Sequence, residues 1–325
     1  MTHRIPAVRI LATGGTIAGA APSPSDTSGY RAGALPVAAL LAALPPQDDV
    51  RLDARQLASL DSKDALPEFW QMLARELAQA QADPDVDGVV LTHGTDTLEE
   101  TAWFLHLTLA LAKPLVLTGA MRPATAASAD GPMNLLQAVQ VAACPQAARH
   151  GVLAVLNGQI HHARHLRKAH THRVDAFDSG EAGPAGFIQD GYVGWFWPPR
   201  PCAPRFAPDT PLAPVDILFD YPGISVSMVD AVLRGGTRGL VWAGYGNGSI
   251  SGRIEPLLRE AGRQSLAIVR ATRGGAGRVG LPGTCGFIQA AGLDPYKARI
   301  ALMLALGAGT PPGALQTLFD TLSYE

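Results

Sequence analysis

The sequence is poor in cysteine, poor in lysine and without any long apolar run. Its three cysteines, Cys144, Cys202 and Cys285, are odd in number and far apart, which fits neither a disulfide framework nor a zinc site. Charge of neither sign dominates: 26 Lys and Arg face 28 Asp and Glu, with no long basic or acidic block. Nucleic acid and membrane surfaces are therefore not expected as partners. No apolar stretch is long enough to span a bilayer. Met1 to Pro6 leads almost directly into the first apolar run, leaving no room for a signal peptide, and a cytoplasmic protein is expected.

The shortage of lysine is informative. Only Lys63, Lys113, Lys168 and Lys297 occur, so arginine serves nearly everywhere a positive charge is wanted. A lysine kept against that bias is either an ordinary surface residue or one needed because it can lose its proton, which arginine cannot do. Lys168 stands out, flanked by Arg164 and Arg167, since like charges favour the neutral amine. The neighbouring His161, His162, His165, His170 and His172 lack a matching set of Cys, Asp or Glu, so a solvated polar loop is expected there and no metal.

What the chain does have is 47% hydrophobic residues arranged in short runs alternating with helical stretches. Strands are expected at 8–12, 88–92, 115–118, 152–156, 215–219, 239–243 and 266–270. Helices are expected at 67–80, 97–111, 132–143, 226–234 and 253–262, the third with Asp130 in its cap region and Pro132 in its first turn. Strand alternating with helix predicts an α/β protein with a mostly parallel sheet. Six prolines between Trp195 and Pro211 support neither a helix nor an inner strand. Two domains are expected, at 1–195 and 214–325, joined by a proline-rich linker at 196–213.

Two expected strands end in threonine-bearing glycine turns, Thr13-Gly14-Gly15-Thr16 and His93-Gly94-Thr95-Asp96-Thr97. Ligand sites in open α/β sheets lie beyond the carboxyl ends of the strands, so the two hydroxyl clusters are expected to share one crevice. A threonine hydroxyl needs activation to act as a nucleophile. The first turn also reads as a phosphate loop, but no Gly-x-Gly-x-x-Gly or Walker lysine pattern accompanies it. The second reads equally as a helix cap, with Asp96 and Thr97 capping and Glu99 and Glu100 in the first turn. The segment Ala20 to Arg31, polar, proline-punctuated and carrying Tyr30, reads as an active-site lid.

These residues resemble the bacterial L-asparaginase family, including the glutaminase-asparaginases, over essentially the whole chain. The motifs are Ile10 to Gly19, Thr92 to Thr101, Thr118 to Asn134 and Leu293 to Arg299, with the Glu99-Glu100-Thr101 continuation closer to the type II branch. The resemblance implies a two-domain fold: a large N-terminal domain and a smaller Rossmann-like three-layer C-terminal domain. It further implies hydrolysis of L-asparagine to L-aspartate and ammonia without cofactor or metal. In that pattern Thr16 matches the nucleophile and Tyr30 the lid tyrosine that helps to activate it. Thr95, Asp96 and Lys168 match a second catalytic cluster, in which Asp96 also holds the substrate ammonium. Ser62 matches the serine that binds the α-carboxylate. Gly15, Lys63, Gly94, Ala120 and Ser249 belong by the same resemblance to the substrate-binding surface. The implied assembly is a homotetramer built as a dimer of dimers.

Three departures from the family pattern bear on substrate. Lys63 stands where many members carry glutamine, Ser249 where many carry asparagine, and Arg273 to Phe287 contains no acidic residue. They keep open another amide substrate: L-glutamine, D-asparagine, or a modified or peptide-linked asparagine. A non-catalytic amino-acid sensor is the reading from another class. The full set of Thr16, Tyr30, Thr95, Asp96 and Lys168 argues against it, because binding alone needs no nucleophile.

Overall fold

The computed structural model describes residues 4–199, 205–280 and 286–323. The chain forms two compact units, Met1–Pro208 and Asp209–Glu325. Within the proline-rich stretch, the N–H groups of Arg205 and Phe206 donate to the Leu107 carbonyl of the first unit, and Ala213 N–H donates to Met303 of the second.

The first unit contains β1 (Ala7–Gly14), α1 (Val37–Ala42), β2 (Arg51–Leu60), α2 (Pro67–Ala82), β3 (Gly88–Thr92), α3 (Leu98–Thr108), β4 (Leu115–Thr118), α4 (Gly131–Ala142), β5 (Val152–Leu156), β6 (Gln159–His162), β7 (Arg167–Lys168), β8 (Phe177–Asp178), β9 (Gly186–Gln189) and β10 (Tyr192–Trp195). Eight strands make one sheet in the order β10-β9-β6-β5-β4-β3-β1-β2. The strands from β2 to β5 are parallel, and β6, β9 and β10 extend the sheet antiparallel. Strands β3, β4 and β5 are buried along their whole length, as inner parallel strands covered on both faces must be. One core joins Ile10, Val90, Val116 and Val155 to Leu135 and Val139 of α4. On α2 and α3, Trp70 and Phe104 pack together with ring centroids 5.5 Å apart.

The expected strands 88–92, 115–118 and 152–156 are found with those bounds, whereas β2 was not expected. Its charged alternation, with Arg51, Asp53 and Arg55, hides a sheet-edge strand whose exposed face is polar. Gly14 pairs with Leu60 at its far end, after a register shift between Ala12 and Gly14.

The second unit carries β11 (Val215–Phe219), α5 (Val226–Arg234), β12 (Gly239–Gly244), α6 (Glu255–Arg263), β13 (Ala267–Thr272), β14 (Ile288–Gln289), α7 (Pro295–Gly307) and α8 (Pro312–Leu322). Its four strands are parallel, in the order β11-β12-β13-β14. Leu240, Trp242 and Ile268 form a core with Val229 of α5 and Leu258 of α6. Among the described residues, no helix is long and apolar enough to cross a membrane.

Candidate active site

The site begins with two glycines. Gly15 adopts a left-handed φ of 75°, and a Cβ built on it would lie 2.4 Å from the Gly94 Cα. Only glycine permits that backbone approach. The two threonine turns are thereby brought into contact, and Thr16 and Thr95 follow one residue after the touching atoms. A Cβ on Gly94 would lie 2.5 Å from Ser62 Oγ, so the short 3-10 turn after β2 completes the cluster.

Thr16 opens a 3-10 turn at the end of β1 and is buried. Its Oγ1 lies 2.6 Å from Tyr30 Oη. Tyr30 sits at the end of the Ala20 to Arg31 segment, which closes on itself through paired backbone hydrogen bonds between Ala20 and Arg31. The segment is tied to the loop after β4: Ala21 N–H donates to Thr125 Oγ1 at 2.8 Å, and Ala127 N–H donates to the Pro24 carbonyl. The Tyr30 ring lies against Gly19, where a Cβ would meet Cδ2 at 2.8 Å.

The second cluster is centred on Lys168. Its Nζ donates to Thr95 Oγ1 at 2.9 Å and to Asp96 Oδ1 at 2.5 Å. The charge in contact with this ammonium is the opposite charge of Asp96, while Arg167 pairs with Asp178. The capping reading of Asp96 and Thr97 is not met. Asp96 Oδ1 accepts from Lys168, and Thr97, the N-cap residue of α3, makes no capping bond; its Oγ1 donates to the Ser62 carbonyl at 2.9 Å. Asp130 likewise makes no side-chain cap. Its carboxylate accepts the Met121 and Arg122 N–H groups and shapes the loop beside Ala120, which is fully buried.

Ser62 is buried, and its Oγ has no hydrogen-bond partner. An orphaned buried hydroxyl is costly, and one beside the Gly94 turn is a ready contact for a bound polar group. Lys63 points outward and pairs with Asp61; that hydrogen bond first, then the charges of Asp61, Asp64 and Asp96, hold its ammonium above the ordinary lysine value. Ser249 belongs to the second unit, where its backbone closes a turn with Tyr245.

Two supporting residues escaped the sequence reading. His93 is fully buried, and burial pushes its pKa down to about 4, so the ring is neutral. Nδ1 lies 2.8 Å from the Gly94 carbonyl, and Nε2 lies 3.1 Å from Thr101 Oγ1. A neutral ring next to a carbonyl must carry its proton on Nδ1, leaving Nε2 to accept from Thr101. Glu99 is buried, and its carboxylate accepts the Lys168 backbone N–H at 2.5 Å. Both sit in the motif quoted above, but a histidine in a turn and a glutamate in a first helical turn carry no local mark of these contacts.

The expected solvated histidine loop is corrected in part. His161 and His162 lie buried in β6. Burial lowers the pKa of His161 to about 4 and that of His162 well below its ordinary value. Among the described residues no group of three His, Cys, Asp or Glu side chains could hold a metal ion.

Fold and site together define a two-unit α/β protein built around paired threonine turns at the carboxyl edge of a mostly parallel sheet. Residues 7–201 match the family profile "Asparaginase, N-terminal", and residues 214–319 match "Glutaminase/Asparaginase C-terminal domain". The chain belongs to the asparaginase family. It is 40% identical to L-asparaginase 2 of Bacillus subtilis, covering 97% of this chain and 86% of that one. It is 36% identical to the glutaminase-asparaginase of Pseudomonas fluorescens, covering 96% and 89%. A crystal structure described as a "Probable Cytoplasmic L-asparaginase" from Campylobacter jejuni superimposes with a TM-score of 0.92 at 41% identity, covering 97% of this chain and 99% of that one.

Proposed function

We propose that the protein hydrolyses L-asparagine to L-aspartate and ammonia through a threonine acyl-enzyme. The observation that carries this reading is the hydrogen bond of Thr16 to Tyr30, in a turn whose backbone touches the turn of the Lys168-Thr95-Asp96 cluster. Thr16 Oγ1 attacks the side-chain amide carbon while Tyr30 holds the hydroxyl and shares its proton. The C–N bond breaks, the proton lost by Thr16 reaches the departing nitrogen, and ammonia leaves. Backbone N–H groups at the Gly94–Thr95 turn hold the oxyanion. Lys168 supports proton transfer through the Thr95 hydroxyl as water cleaves the ester. Asp96 holds the substrate ammonium and Ser62 its carboxylate, giving an amino acid clamps of both signs.

L-Glutamine is the second reading, favoured by the likeness to a glutaminase-asparaginase and by the absence of an acidic residue from Arg273 to Phe287. The proposed assembly is a homotetramer in the cytoplasm. Ammonia release from L-asparagine, L-glutamine and D-asparagine, each at micromolar and millimolar concentration, tests the proposal. Saturation by micromolar L-asparagine is expected. Turnover of L-glutamine or D-asparagine alone would transfer the reading to that substrate, and no release from any of the three would refute hydrolysis of these free amino-acid amides.

A further inference from the structure

Lys168 lies outside the main sheet. It occupies β7, which pairs only with β8 among the described residues. This ribbon is two residues deep, with Arg167 opposite Asp178 and Lys168 opposite Phe177. Two more backbone bonds, from Ala169 and His170 to the Ala176 carbonyl, continue it. Even an isolated full-length hairpin is only marginally stable in water, so a ribbon this short must be held from outside.

Two contacts do so, one buried and one half-buried. Behind β8, Ser179 Oγ lies 2.9 Å from His161 Nδ1 on β6, and both residues are buried. In front, the Glu99 carboxylate accepts the Lys168 backbone N–H at 2.5 Å. The second contact closes a ring. The turn that opens α3 carries Thr95 and Asp96, both reached by the Lys168 ammonium. Glu99 stands in the first turn of the same helix and holds the backbone of the same lysine. The turn before α3 and the first turn of α3 therefore hold Lys168 at the two ends of a long flexible side chain. Fixing the root relative to the target removes most of the conformations such a chain would otherwise explore. A carboxylate accepting from a half-buried N–H makes a strong bond for this purpose.

We propose that Glu99 is the positioning residue of Lys168: it sets the lysine root so that the ammonium meets Thr95 and Asp96, without itself touching substrate. The functional part of this inference rests on the hydrolytic reading above; the geometric part does not.

Two variants and two readouts test it. Glu99→Ala removes the acceptor, whereas Glu99→Gln keeps a neutral one of the same shape. Hydrogen exchange of peptides covering 164–172, read by mass spectrometry, reports the clamp without reference to activity. In Glu99→Ala, exchange there is expected to rise by ~10-fold or more while peptides from β3 to β5 stay protected. A root displaced by an ångström lowers kcat by ~10- to 100-fold, with KM unchanged within about 3-fold. Glu99→Gln is expected to exchange faster than the parent at 164–172 and to recover most of kcat. A folded Glu99→Ala protein with parental exchange and parental kcat would overturn the proposal, as would a loss confined to KM. If Glu99→Ala does not fold, Glu99→Gln decides: parental exchange at 164–172 overturns the clamp. If the parent releases no ammonia from any amide, the functional reading fails, and the exchange comparison still settles whether Glu99 holds the ribbon.

Discussion

Gly15 and Gly94 meet backbone to backbone, so close that a side chain on Gly15 would lie 2.4 Å from the Gly94 Cα. That contact brings together two turns about eighty residues apart in the chain. Gly15→Ala adds a methyl group in an occupied volume and at a φ of 75°. It is expected to cost about 2 kcal/mol or more of stability and to separate the threonines, lowering kcat by ~100-fold. Denaturant midpoints and steady-state kinetics check both effects.

Thr16 and Thr95 are buried hydroxyls with one polar partner each in the site, Tyr30 and Lys168. Thr16→Ala and Thr95→Ala are each expected to lose at least ~1000-fold in kcat, as loss of a nucleophile or relay group does, with melting temperatures close to that of the parent. Near-normal turnover in either variant would remove the assignment.

Lys168→Arg keeps the charge and the reach toward Asp96 but not the ability to give up a proton. The variant is expected to be inactive yet folded, with its guanidinium paired to Asp96. An active Lys168→Arg enzyme would mean that the lysine acts only as a fixed charge.

Ser62 Oγ is buried without a partner. Removing an unsatisfied buried hydroxyl costs the folded protein little, while the substrate carboxylate loses a contact worth about 1.5–3 kcal/mol. Ser62→Ala is expected to melt at or above the parental temperature and to show KM raised by ~10-fold or more with kcat nearly kept. A drop in melting temperature without a change in KM would assign Ser62 a purely structural role.

His93 and His161 are buried, with pKa values lowered to about 4. In the unfolded chain they bind a proton near pH 6.5, so between pH 6.5 and 4 the unfolded state holds more protons than the folded one. Their contribution to stability is complete above pH 6.5 and falls as the pH drops towards 4, by about 3 kcal/mol for each histidine. Melting temperature measured from pH 7 to 4 is expected to decline, and His161→Asn is expected to flatten the decline. A parent stability independent of pH over that window would contradict the burial of both rings.

The local chemistry was legible before the structure. Inner strands covered on both faces, such as Gly88–Thr92 and Val152–Leu156, must be apolar on both, so continuous runs bounded by glycine mark their ends closely. The glycine turns with Thr16 and Thr95 were visible for the same reason: a strand that stops in glycine and hydroxyl residues advertises an edge. Other elements left no such mark. Helix α7 is buried on nearly every side, which removes the polar stripe that identifies a helix. Strand β2 hides behind alternating charges, and with it the route by which Ser62 reaches Gly94. Which strands are internal, where they end and which hydroxyls stand at those ends thus follow from period and turn chemistry within a few residues. Tertiary contacts alone bring Gly15 against Gly94, turn the Thr97 hydroxyl to the Ser62 carbonyl instead of a capping bond, and hold Lys168 between Glu99 of α3 and the Thr95-Asp96 turn before it. Those are contacts between residues tens of positions apart, fixed by strand order, register and shared burial rather than by any local preference.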